Sequence, residues 1–160
     1  MTTRRGLAYS PALDGLRALA VIAVMLYHGG SSWLGGGFLG VDVFFVLSGF
    51  LITTLLLLEH ERTERLDLVA FWGRRARRLL PALFLVLVAV LLYGAFLTGE
   101  AASTIRSDAL ATLFYVSNWW FIASGNSYFA QFQDPSPLTH TWSLAIEEQW
   151  YLLLPLVLVL

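Results

Sequence analysis

Few residues in this chain are equipped for chemistry, and most of them stand in apolar surroundings. Arg17 and His28 bracket the stretch Ala18–Tyr27. Eleven steps separate them, which at about 100° per residue brings the two side chains to within about 20° of one helical face. Asp14 falls on that face one turn earlier. The stripe should carry an Asp14–Arg17 ion pair at one end and an imidazole about 16 Å further on. Ionisable groups at membrane depth are costly and normally face a bundle interior or a wet cavity. An imidazole held there has the chemistry of a general base. A plainer reading stands beside it: Arg17 snorkels to the interface and His28 ends its helix before Gly29–Gly30.

Asp42 is the one charge in "GVDVFFVLSGFLIT". Its carboxylate could hold one nitrogen of a histidine and fix the tautomer, or simply answer the helix dipole. Gly49 lies seven residues on, near the same face, where a small residue allows close helix packing. "GGGFLG" contains the G-x-G-x-x-G spacing at Gly35, Gly37 and Gly40. No strand precedes it and an apolar span follows, so a dinucleotide fingerprint is rejected. A tight outer loop is expected.

"FWGRRARRLLP" places Arg74, Arg75, Arg77 and Arg78 ahead of an apolar run. The R-x-x-R spacing occurs twice, and residues three apart are neighbours on a helix. Each pair could grip a phosphate through charge-assisted hydrogen bonds. Juxtamembrane arginines also set topology and meet anionic headgroups, and from the residues alone that reading weighs more.

"LTHTWSLAIEEQWYLLLP" carries His140, Ser143, Glu147, Glu148 and Tyr151. Ser143, Glu147 and Tyr151 are four apart and drift only about 40° per step along one face. A capping box needs an acid three residues after the cap. Neither Thr141 nor Ser143 has one there, so Glu147 is a candidate for chemistry. Glu148, about 100° round, reads as a solvated or dipole-answering neighbour, and His140 as part of the approach to the helix.

These groups need membrane helices to position them. The chain has 160 residues, 58% hydrophobic and 13% charged, against about 45–50% and about 25% in ordinary soluble domains. Mean hydropathy is +0.69. There is no cysteine, which excludes a disulfide framework, a thiolate metal site and a cysteine nucleophile. No metal site is expected. All ten basic residues are arginine, and the net charge of −1 gives no nucleic-acid surface. Arg4 and Arg5 before an apolar stretch suggest a signal peptide, but no small-residue cleavage site follows.

The fold class expected is all-α, a multi-span transmembrane bundle. Spans are read at Leu13–His28, Phe38–Leu58 and Leu79–Thr98, with a shorter or re-entrant one at Asp108–Ile122. A further helix begins at Thr141 and is still running at Leu160, which reads as the N-terminal part of a larger bundle. The Glu59–Arg78 segment holds six arginines and the Gly29–Gly37 loop none. The positive-inside rule therefore puts the N-terminus and residues 59–78 in the cytoplasm. Trp33 and Trp72 are read as interfacial aromatics. The side on which Ala123–Thr139 lies is left open.

In order, the R-x₁₀-H of Arg17 and His28, "GVDVFFVLSGFLIT", the R-x-x-R block, "SNWWF", and S-x₃-E-x₃-Y in "THTWSLAIEEQWY" resemble the acyltransferase 3 family of integral-membrane acyltransferases. The likeness covers nearly the whole chain, which would be the N-terminal part of one transmembrane acyltransferase domain. It implies transfer of an acyl group, usually acetyl, from acyl-coenzyme A to hydroxyls of cell-envelope or exported glycans, in a bacterial cytoplasmic membrane. The donor is a substrate; no permanently bound cofactor and no nucleic-acid partner are expected. By the same resemblance Arg17 and His28 match the motif serving catalysis. Arg75/Arg78 or Arg74/Arg77 match the motif linked to the donor, and Ser143, Glu147 and Tyr151 match the third motif.

The mechanism expected docks coenzyme A phosphates on Arg74–Arg78 and brings the thioester to His28, which acts as general base while Glu147 or Asp42 orients its ring. Asp14, Ser143 and Tyr151 support. Two other classes remain at this point. A proton-coupled transporter also uses intramembrane His, Asp and Glu, but leaves the R-x-x-R pairs unexplained. A non-catalytic fragment would need the rest of its bundle.

Overall fold

The computed structural model describes residues 10–125 and 136–159. Arg4, Arg5, most of Ala123–Thr139 and Leu160 lie outside the described residues, and with them the signal-peptide question and the loop's side. Every regular element among the described residues is helical, as expected. The chain divides into two compact units, residues 1–66 and 67–158.

The first unit is a helical pair. α1 spans Pro11–His28 and α2 spans Gly40–Thr63. Pro11 suits the first turn of α1, where a missing N–H costs nothing. The helix ends in a Schellman turn: Ser31 N–H donates to Leu26 O (3.1 Å), Gly30 N–H donates to Tyr27 O (3.1 Å), and Gly30 takes φ +75°.

A short 3₁₀ turn, Gly37–Leu39, leads into α2. Gly37 and Gly40 do more than turn the chain. A Cβ on Gly37 would lie 2.4 Å from Ala23 O, and one on Gly40 would lie 2.5 Å from Ala20 O. The two backbones therefore meet at these glycines, the close approach seen where membrane helices pack on small residues. Gly49, expected to serve that purpose, has nothing within 4 Å of its Cβ position. The reason is register: the contact is made at the entrance of α2, and Gly49, about two and a half turns beyond Gly40, falls on the other side of the helix.

The second unit is built on α3, Leu68–Ala95. It starts eleven residues before the expected Leu79, so the arginine block is helical and the true loop shrinks to residues 64–67. Asp67 caps it, its Oδ1 accepting from Ala70 N–H at 2.9 Å. Arginine and alanine are good helix formers; hydropathy registers the block as polar and misses its helicity.

α4, Gly99–Leu113, and α5, Ser117–Ala123, replace the single short span expected over 108–122. The break is a second Schellman turn. Val116 N–H donates to Ala111 O (2.9 Å), Tyr115 N–H donates to Thr112 O (3.1 Å), and Tyr115 takes the left-handed conformation at φ 53°. Glycine usually fills that position, and its absence hid the break from the sequence. α6 spans Thr141–Val159.

The hydrophobic core of this unit joins Leu83 and Leu87 of α3, Ala109 of α4 and Leu138 ahead of α6. Gly94 lets α3 and α4 close up, since a Cβ there would lie 2.9 Å from Ile105 Cγ2. Among the described residues three helices are long and apolar enough to cross a membrane: Pro11–His28, Gly37–Thr63 and Leu68–Ala95.

Candidate active site

In the first unit, His28 stands at the last position of α1 with its ring against the edge of Tyr27, centroids 5.4 Å apart. Tyr27 in turn meets Phe38 edge-on at 5.6 Å. His28 Nδ1 lies 2.8 Å from Val24 O. A carbonyl can only accept, so Nδ1 carries the hydrogen and, in the neutral ring, the lone pair is on Nε2. A backbone carbonyl one turn back thus holds the Nδ1 side of the ring. Asp42 is exposed in the first turn of α2, the place where a carboxylate suits the helix dipole. Arg17 is half-buried and Asp14 exposed, and no ion pair joins them. A pair three residues apart whose carboxylate is exposed gains too little to fix two side chains in one geometry.

The second unit gathers more polar groups. Arg75 reaches from α3 to Glu148 of α6, Nη2 donating to Oε1 at 2.8 Å. Its guanidinium lies over the Tyr151 ring, 3.5 Å from the centroid. Tyr151 OH donates to Glu147 Oε2 at 3.3 Å. Two carboxylates, a guanidinium and a phenol are therefore linked in one cluster.

Pro155 explains part of its placement. A proline has no N–H to give the carbonyl four residues back, which is Tyr151 O; Trp72 Nε1 donates to it instead, at 3.1 Å. Trp72 is accordingly a half-buried bridge between α3 and α6, whereas Trp33 is 74% exposed.

Glu148 is the main correction. It is not solvated: its side chain is 17% exposed, and that of Arg75 20%. The acid sits on the face of α6 that turns to α3, which periodicity could not reveal without knowing where α3 lies. Arg75 likewise leaves the outward-facing set, while Arg74, Arg77 and Arg78 are exposed. Ser143 Oγ donates to His140 O in its own first turn, at 3.2 Å. The structure brings Glu147 and Tyr151 together but leaves Ser143 out of the cluster.

Gln149 was also missed. Its Nε2 donates to Tyr115 O (2.7 Å) and Asn118 Oδ1 (2.9 Å), and its Oε1 accepts from Asn118 Nδ2 (3.3 Å). The left-handed turn is thereby tied to α6. Thr141 Oγ1 shares a hydrogen with Thr112 Oγ1 (2.8 Å), and Ser117 Oγ donates to Thr141 O (2.9 Å). Asp108, 1% exposed, accepts from Trp120 Nε1 at 2.8 Å. Among the described residues no three His, Asp or Glu side chains converge as metal ligands.

Comparison with known proteins follows the same residues. The Acyltransferase domain family, acyltransferase 3, matches residues 10–160. The chain belongs to this family. It is an integral membrane protein. Peptidoglycan O-acetyltransferase OatA of Listeria monocytogenes is 55% identical over 99% of the chain and 25% of its own length. O-acetyltransferase OatA of Staphylococcus aureus is 53% identical over 94% of the chain and 25% of its own length. The putative peptidoglycan O-acetyltransferase YrhL of Bacillus subtilis is 52% identical over 94% of the chain and 24% of its own length. The chain thus spans about a quarter of the length of these relatives. No solved structure matches it.

Proposed function

We propose that the protein takes part in O-acetylation of peptidoglycan, moving an acetyl group from acetyl-coenzyme A to a glycan hydroxyl. The observation that carries this is 55% identity over 99% of the chain to a peptidoglycan O-acetyltransferase. The polar groups of both units support it.

His28 is the general base. Its Nδ1–H stays on Val24 O, and Nε2 takes the proton of the acceptor hydroxyl as that oxygen attacks the thioester carbonyl. The carbon–sulfur bond then breaks, and the imidazolium returns the proton to the departing thiolate. Arg17, on the same stripe of α1, serves this chemistry with it. Arg74, Arg77 and Arg78 receive the phosphates of the donor. Their positions on α3 fall within about 100° of one another, with Arg75 about 60° beyond that sector. Glu147 and Tyr151 contribute to the polar cluster of the second unit.

The N-terminus and the arginine-bearing start of α3 lie on the cytoplasmic side of a bacterial cytoplasmic membrane, where acyl-coenzyme A is made. The positive-inside rule supports that orientation.

The test is transfer of labelled acetyl from acetyl-coenzyme A to peptidoglycan by membranes carrying the protein. His28→Ala, correctly inserted, should lose about 10²–10⁴-fold, the usual contribution of a general base. Undiminished transfer by that variant would remove His28 from the role. Transfer indifferent to acetyl-coenzyme A would remove the donor.

A further inference from the structure

We propose that Glu148 is a positioning residue of the acyl-donor site, acting through Arg75. This rests on the reading above that Arg74, Arg77 and Arg78 receive the donor.

The argument starts from what Arg75 does with its donors. Nη2 is held by Glu148 at 2.8 Å, the planar group is stacked on Tyr151 at 3.5 Å, and Nε is buried with no hydrogen-bond partner. A carboxylate satisfying a guanidinium fully would bridge Nε and one Nη. Glu148 takes only one of the two. Arg75 is held in place by this contact without being saturated by it, a geometry better suited to fixing a helix face than to neutralising a charge.

The consequence lies in the helix. Arg74, Arg77 and Arg78 share the rigid backbone of α3 with Arg75. Pulling Arg75 against α6 sets the rotation of α3 about its own axis, and so sets which way the other three point. Trp72, bonded to Tyr151 O one turn earlier, holds the same face. With Glu148 in place, the exposed side chains of Arg74, Arg77 and Arg78 keep a fixed sector from which Arg77 and Arg78 can reach a multiply charged phosphate ligand. Without it the sector can rotate, and Arg75 joins the arginines competing for the anion.

A role of this kind predicts a change in donor affinity and not in chemistry. The experiment measures acetyl transfer against acetyl-coenzyme A concentration, using the protein in its own membrane. Glu148→Gln should raise the KM for acetyl-coenzyme A about tenfold, the scale of one charged hydrogen bond, with kcat retained. Glu148→Asp, which keeps the charge but draws it back by one methylene, should raise the KM by a smaller factor. The exchanged pair, Arg75→Glu with Glu148→Arg, should have a lower KM than either single variant. An unchanged KM in Glu148→Gln, or a fall in kcat at constant KM, overturns the assignment. If Glu148→Gln does not accumulate in the membrane, Glu148→Asp decides: a raised KM supports the role and an unchanged one ends it.

Arg77→Gln with Arg78→Gln separates the two layers of the argument. If that variant leaves the KM unchanged, the donor site itself is misplaced and the role of Glu148 falls with it. If it raises the KM while Glu148→Gln does not, only the role of Glu148 falls.

Discussion

At the scale of single residues, the Arg75–Glu148 pair shows what partial burial does to an ion pair. Both side chains are largely out of solvent, so removing one partner strands a charge. Glu148→Ala should destabilise the protein by about 3–5 kcal/mol, read from thermal unfolding in detergent. Replacing both partners together, as Arg75→Met with Glu148→Leu, should recover most of that loss, because no unpaired charge is left. Tyr151 divides into two contributions. Tyr151→Phe loses the bond to Glu147 and keeps the ring under Arg75, for a cost of about 0.5–1.5 kcal/mol. Tyr151→Leu loses the cation–π contact as well, and the further loss should shrink when Arg75 is absent; a double-mutant cycle measures it. Neither partner of Glu148 nor the carbonyl holding His28 was legible in the residues. Spacing along one helix says which side chains share a face and says nothing of what that face meets.

At the scale of elements, the glycines give the sharpest expectation. Gly40→Ala should force α1 and α2 apart, since its Cβ would meet a backbone carbonyl and not a side chain that can turn away. A cost of about 1–3 kcal/mol is expected for such overpacking. Gly49→Ala meets nothing and should be neutral or gain up to about 1 kcal/mol of helix propensity. Thermal unfolding of the two variants side by side checks this; equal loss in both would contradict the register described. The Trp72–Tyr151 bond makes a second element-level case. Pro155 leaves Tyr151 O open, so Trp72→Phe should cost less in a Pro155→Ala background, where the helix supplies its own N–H. The existence of α1, α2, α3 and α6 could be read from apolar runs. The start of α3 and the break between α4 and α5 could not, because a helical arginine block lowers hydropathy and a tyrosine stands where a glycine would have marked the turn.

At the scale of the whole molecule, the distribution of arginine sets the orientation proposed. The chain has no cysteine, so single-cysteine variants report cleanly. In intact cells Ser32→Cys should react with an impermeant maleimide, and Arg65→Cys should react only after the membrane is opened. Both positions are exposed. The reverse pattern would invert the topology and with it the side from which the donor arrives.

The sequence by itself determined the class of the protein: apolar runs of spanning length, arginines gathered at one loop and the start of α3, and the ordered motifs that mark an acyltransferase 3 chain. Those are properties of composition, periodicity and order, and they are written along the chain. Only the tertiary structure decided which of two adjacent glutamates is engaged between helices, which arginine of four turns inward, and which glycines admit a neighbouring backbone. Each of those depends on the rotation of one helix against another, and that rotation follows from packing among residues far apart in sequence.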